Sequence, residues 1–258
     1  MRRWTLLPLA LLMLWPANIA AQEADSGPTW WAVFSETVET KDVAEFEAVS
    51  AEFRAMVDGH TPDGMVYYVL SGPEDGYMYA VPMANMAEFT EIGAKWQAMV
   101  EDIGRDTYDE VDARSAALVT HRSMNFYVER PDLSYMPDAL TAASAEMPFR
   151  HFDWLYVEPG NESEFEAILK EWVDLYEEHG IESGWSANQA VTGDNLPMWV
   201  LISPADGMAA WATENDAVDA VLGDADDDLL QRSLALMRSY RPSNATFRPE
   251  LSVLPESD

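Results

Sequence analysis

The sequence predicts an α+β fold in which one β-α-β-β-α-β unit is used twice, and two observations predict it. Residues 45–60 and 164–179 align without a gap at an offset of 119, and six of the sixteen positions are identical. Both segments open on the same four residues, Glu45-Phe46-Glu47-Ala48 and Glu164-Phe165-Glu166-Ala167, and both end on histidine, His60 and His179. A second echo closes each copy: Arg130-Pro131-Asp132-Leu133-Ser134 against Arg248-Pro249-Glu250-Leu251-Ser252, at an offset of 118. Two matches at nearly one spacing mark an internal repeat, and a repeat sets the fold before any local reading does. The copies span 29–137 and 148–255, with 138–147 as a linker, and each has the size of an ordinary domain.

The elements follow in order. Trp30 to Val38 and Phe149 to Val157 are rich in aromatic and β-branched residues and read as first strands. Phe46, Val49, Phe53, Met56, Val57 and His60 step by three or four, an apolar helix stripe matched by Phe165, Ile168, Trp172, Leu175, Tyr176 and His179. This predicts helices at about 43–59 and 162–179. Asp42 with Glu45, and Asn161 with Glu164, have the spacing of reciprocal N-terminal caps. Gly180 follows His179 where a left-handed residue ends many helices. Two further strands follow each helix as a hairpin: Met65 to Leu70 and Tyr77 to Val81, then Trp185 to Val191 and Met198 to Ile202. A long polar helical region and a last strand complete each copy. Asp224, Asp226 and Asp228 alternate as in a calcium loop. Leu229 and Ala235 stand where that loop needs Gly and Glu, so an N-terminal cap by Asp227 or Asp228 on a helix from Leu229 to Tyr240 is preferred.

Composition sets the surroundings. Arg2 and Arg3 precede an apolar run from Trp4 to Trp15, and small residues at Ala20 and Ala21 offer a cleavage point before Gln22. This is the order of a secretory signal at 1–21, too short to span a bilayer stably, and it implies a periplasmic or secreted protein. The chain has no cysteine, so disulfides play no part. Its formal net charge is −31, with lysine only at 41, 95 and 170. Such a field repels phosphate backbones and anionic headgroups, which excludes nucleic acid, and membrane once the signal is removed, as partners. A monomer or weak homodimer is expected.

This element order, with its duplication and aromatic strands, is the split βαβ or ferredoxin-like unit. Over about residues 29–255 the chain resembles the dimeric α/β-barrel superfamily, which includes antibiotic-biosynthesis-monooxygenase-like and NIPSNAP-like proteins. The resemblance implies two ferredoxin-like units packing sheet to sheet into one intrachain pseudo-dimeric barrel. It also implies an Asn and a Trp lining the barrel to hold a polycyclic aromatic substrate. Asn188 and Trp185 match in type, but three positions apart on a strand they face opposite ways.

Function reads less directly. Residues serving the shared fold stay alike after duplication, whereas a single site needs unlike ones. His60/His179 and Arg130/Arg248 are therefore assigned to structure, as is the recurrence of Arg122-Ser123 and Arg238-Ser239. Each such arginine is expected to meet a carboxylate. The unpaired polar residues His151, Asp153, Asn188 and Gln189 are the ligand-binding candidates. At the 119 offset His151 and Asp153 answer Ala32 and Phe34. A carboxylate two residues from a histidine can orient it or raise its pKa, as a general base requires. At least two of these four are expected on the wall of the largest interior pocket, with aromatics such as Tyr67 or Trp199. No motif for a metal, a phosphate loop or a catalytic triad is present. No cofactor is predicted, and a haem held non-covalently on one histidine is left open. The leading expectation is a small apolar or aromatic molecule bound in the barrel. The alternatives are a cofactor-independent monooxygenase-like enzyme and a structural protein with a packed barrel.

Overall fold

The computed structural model describes residues 27–72 and 76–255. The expected signal segment and its cleavage point lie outside these residues. The first half runs β1 (Trp30–Val38), α1 (Val43–Val57), β2 (Tyr68–Ser71), β3 (Gly76–Met83), α2 (Glu88–Ile103), α3 (Arg105–Leu118) and β4 (Val119–Glu129). After α4 (Asp138–Ser144) the second half runs β5 (Phe149–Val157), α5 (Glu162–His179), β6 (Ser186–Ala190), β7 (Met198–Ala205), α6 (Met208–Leu222), α7 (Asp227–Leu236) and β8 (Met237–Phe247). The same order of elements thus occurs twice. In each half the long polar region forms two helices, divided at Gly104 (φ 95°) and Gly223 (φ 56°). Glycine adopts such backbone at little cost, so these residues end one helix and re-aim the chain into the next.

All strand pairs are antiparallel, and the order β1-β3-β2-β8-β5-β7-β6-β4 returns to β1 as a closed barrel. The closing contacts join opposite halves: β2 with β8 at Leu70↔Phe247, and β6 with β4 at Asn188↔Glu129. The turn that ends each half also docks on the other half. Tyr67 bridges Val253 and Tyr135 bridges Trp185. Ser252 Oγ accepts the Val69 N–H and Ser134 Oγ accepts the Ala187 N–H, both at 2.8 Å. Arg248 N–H donates to Val69 O and Arg130 N–H to Ala187 O.

Alternation gives each strand two faces. The outward face packs on the helices: Leu155, Val157 and Trp199 cluster with Phe165 and Leu169 of α5, and Phe46 of α1 contacts Tyr77. The inward face carries Phe152, Val200 and Ile202, which are buried and fill the depth of the barrel.

The 138–147 stretch holds a helix over Asp138–Ser144, with Leu140 buried and Arg150 donating to the carbonyl oxygens of Ser144, Met147 and Phe149. An alanine-rich stretch becomes helical once an apolar residue is buried and its final carbonyls have a donor. Asp42 and Asn161 stand at the starts of α1 and α5, but neither side chain makes a capping bond. The helix from Leu229 to Tyr240 ends instead at Leu236, because residues from Met237 onward pair with β5. Arg122 meets the buried carboxylate of Glu36 at 2.5 Å, whereas Arg238 donates to the carbonyl oxygens of Asn195 and Leu196. The register explains the difference: Arg122 lies opposite Glu36, and Tyr240, not Arg238, lies opposite Leu155.

Candidate functional site

A cavity of about 380 Å3 occupies one mouth of the barrel. Its position follows from the strand register. Among the described residues β2 pairs with β8 at Leu70 and Ser71 alone. The β6–β4 pairs are Asn188↔Glu129, Gln189↔Val128 and Ala190↔Tyr127. Val191 and Thr192 still bond to Phe126, and then these two strands part. The cavity is bordered by the β2–β3 turn (Gly72, Gly76) with Arg241 and Ser243 of β8, and by Asn125 of β4 with Thr192–Leu196 after β6.

The cavity wall is built from inward positions. Trp154, Tyr156 and Tyr127 give it aromatic faces, and Met78 and Met198 add adaptable apolar surface. Ser35, Thr37, Asn125 and Ser243 supply hydroxyl and amide groups. Trp154 is held in place, since its Nε1–H donates to Ser243 Oγ at 2.8 Å. The register sets Trp154 opposite Arg241 and Val200, so the indole and the guanidinium are cross-strand neighbours on one face. Asp194 lines the cavity from the turn after β6. Burial raises the Tyr127 phenol well above the ordinary range, so it is a neutral donor at any working pH.

The structure puts the sequence-predicted residues elsewhere: none of the six lines this cavity. His151 and Asp153 lie on the outward face of β5. His151 Nδ1 is 2.7 Å from Asn244 Oδ1, and its Nε2 is 3.1 Å from Asp153 Oδ1. Its ring stacks on Trp211 of α6 with centroids 4.0 Å apart. Both neighbours of the ring are acceptors, so the imidazolium satisfies them together. Burial disfavours that charge, but the bonds to Asp153 and Asn244 outweigh it and raise the His151 pKa. Asp153 also accepts from Tyr240 Oη at 2.6 Å. Gln189 faces outward and accepts from Arg130 at 2.9 Å. Trp199 is fully buried against Phe165, and Tyr67 is buried beside its bridge to Val253.

Asn188 alone of the four polar candidates points into the barrel. It is buried, and it pairs with Val200, which in turn lies opposite Trp154. Its Nδ2 has no hydrogen-bond partner, and Ser186 Oγ, on the same face, has none either. Glu129, opposite Asn188, is pushed up by burial against the hydrogen bond from Thr29. In the other half the register sets Leu70 opposite Phe247. The inner wall is therefore polar on one side and apolar at the matching place on the other.

Sequence reasoning misses Trp154, Tyr156, Asn125, Arg241 and Ser243. A signal for two of them is present: at the 119 offset Trp154 answers Ser35, and Tyr156 answers Thr37. The register adds Arg241 against Ser123. Unlike residues do mark the cavity, but on the face of β5 opposite to the one that His151 and Asp153 occupy.

No histidine lines the cavity, and the buried His151 has both ring nitrogens engaged outside the barrel. These residues do not fit a haem held there by an imidazole. Among the described residues no group of three or more His, Cys, Asp or Glu could hold a metal ion, and no helix is long and apolar enough to cross a membrane.

No protein family and no curated protein matches the sequence. Solved structures do match the fold. An anthrone oxidase-like protein aligns over 85% of this chain and 90% of its own, with a TM-score of 0.57 and 16% identity. A proposed monooxygenase from Fusobacterium nucleatum aligns over 86% and 93%, with a TM-score of 0.54 and 12% identity. A mutant chlorite dismutase from Candidatus Nitrospira defluvii aligns over 86% and 92%, with a TM-score of 0.50 and 9% identity. At these identities the likeness is one of fold alone.

Proposed function

We propose that this protein binds a small, largely aromatic molecule in the mouth of its barrel. The observation that carries the reading is the cavity itself: about 380 Å3, with an aromatic wall of Trp154, Tyr156 and Tyr127 and a few hydroxyl and amide groups. Pockets for small ligands begin at roughly 300 Å3 and combine such surfaces. A barrel filled by its own side chains, the structural-protein reading, is disfavoured by the same cavity. We read the two halves as ferredoxin-like units fused in tandem, each completing the other's sheet, and the chain as exported after cleavage before Gln22.

Equilibrium dialysis with 2-naphthol tests the binding. The expected result is saturable binding that Trp154→Leu weakens by about five-fold, since one lost aromatic contact is worth about 1 kcal/mol beyond its area. Equal binding by the variant would place the ligand elsewhere.

The second reading is a cofactor-independent monooxygenase-like reaction in the same cavity. Its support is the fold shared with an anthrone oxidase-like protein and a proposed monooxygenase. The measurement is oxygen consumption with a polycyclic phenol and no added cofactor. Consumption at the rate of the buffer control would leave binding as the function.

A further inference from the structure

We infer that the ligand of this cavity carries a negative charge, which Arg241 meets. The inference rests on the cavity being the binding site and adds the chemical class of what enters it.

The starting observation is how arginine is used in so acidic a chain. The formal net charge is −31, so carboxylates are abundant. Among the described residues, Arg114, Arg122, Arg130, Arg232 and Arg248 each pair with a carboxylate. Arg54 meets Asp58 and Ser252 O, and Arg105 meets Gln97. Arg150 and Arg238 donate to backbone carbonyl oxygens. Arg241 is the one described arginine that makes none of these bonds, and it lies on the cavity wall. A guanidinium has five donors in a planar fork that matches a carboxylate. Left without a partner at the rim of a pocket, it is a ready anion contact.

The rest of the cavity gives the charge a direction. Trp154 lies opposite Arg241 in the ladder, with its indole fixed by Ser243. Asp194 lines the cavity from the turn after β6 and disfavours an anion at that place. A planar ligand with one acidic group thus has a preferred orientation, with its rings on Trp154 and Tyr156 and its anionic oxygens toward Arg241. At the position matching Arg241 the other half has Ser123, so only one side of the barrel offers this contact.

The test compares 2-naphthoate with its neutral isostere 2-naphthamide by isothermal titration calorimetry at pH 7 and low salt. Wild-type protein is expected to bind the acid about ten-fold more tightly than the amide, the scale of one charge-assisted hydrogen bond. Arg241→Gln should bring that ratio close to one, and Arg241→Lys should retain most of it. A wild-type ratio near one, or a ratio unchanged in Arg241→Gln, overturns the charge assignment while binding of the amide keeps the cavity reading. Absence of binding by either probe overturns the cavity reading and this inference with it.

Discussion

Arg130 grips Glu166 with two hydrogen bonds, Nη1 to Oε1 at 2.6 Å and Nη2 to Oε2 at 3.0 Å, across the join between the halves of the chain. Arg248 makes the matching contact to Glu47 at 2.5 Å. Each arginine ends one half and each glutamate sits on the first long helix of the other. The hydrogen bond to Glu166 is the first cause that raises the Arg130 pKa, and the one to Glu47 acts likewise on Arg248. The pairs are partly exposed, so screening trims their worth.

Arg130→Ala and Arg248→Ala are therefore expected to cost similar amounts, about 1–2 kcal/mol each. Urea unfolding measures this. Loss of stability in only one variant would show that the two clasps are not equivalent.

Arg122 and Glu36 form a more deeply placed pair, and burial raises the Glu36 carboxyl although Arg122 pulls the other way. Removing Arg122 takes the only cation from a buried carboxylate and leaves it the Tyr79 hydroxyl as a hydrogen-bond partner. Arg122→Leu should destabilise by about 3 kcal/mol at neutral pH, the low end for a broken buried pair, since Arg122 itself keeps contact with solvent. Glu36→Leu in the same chain should recover most of that, because Leu155 fills the matching position in the second half. Thermal melts of both variants decide it; a double variant no better than the single would refute the argument.

The element order and the ends of β1 and β5 were legible in the sequence, because a helical stripe and aromatic strands leave a direct trace. The helix over Asp138–Ser144 was not, since it depends on the burial of Leu140 and on donors from Arg150. The candidate site was legible in part. Alternation separated His151 and Asp153 from Trp154 and Tyr156, but which face meets the helices is decided by closure of the barrel, and one step along a strand inverts it. Arg241 gave no local signal, because its meaning lies in the partners it lacks.

Asn188 carries a buried amide group without a partner where the other half has Leu70. Such a group costs about 1–3 kcal/mol, so Asn188→Leu is expected to stabilise the chain by up to that amount. The check is the urea midpoint. A lower midpoint would mean that the amide is satisfied in solution.

His151 has a folded-state pKa above its ordinary value, so its charged form contributes stability below about pH 6.5, the unfolded value. That contribution is lost as pH rises through the folded pKa. Wild-type protein should therefore lose more melting temperature between pH 6 and pH 8 than His151→Gln does. Parallel profiles for the two proteins would count against a charged His151.

The most direct measurement is a crystal structure of the protein with 2-naphthol at saturating concentration. The account predicts ring density in the barrel mouth, against Trp154 and Tyr156 and within reach of Asn125 or Ser243. Density only in a second, more open groove of about 870 Å3 lined by Phe149, Met208 and Asn244, or none in the mouth at saturation, would contradict it.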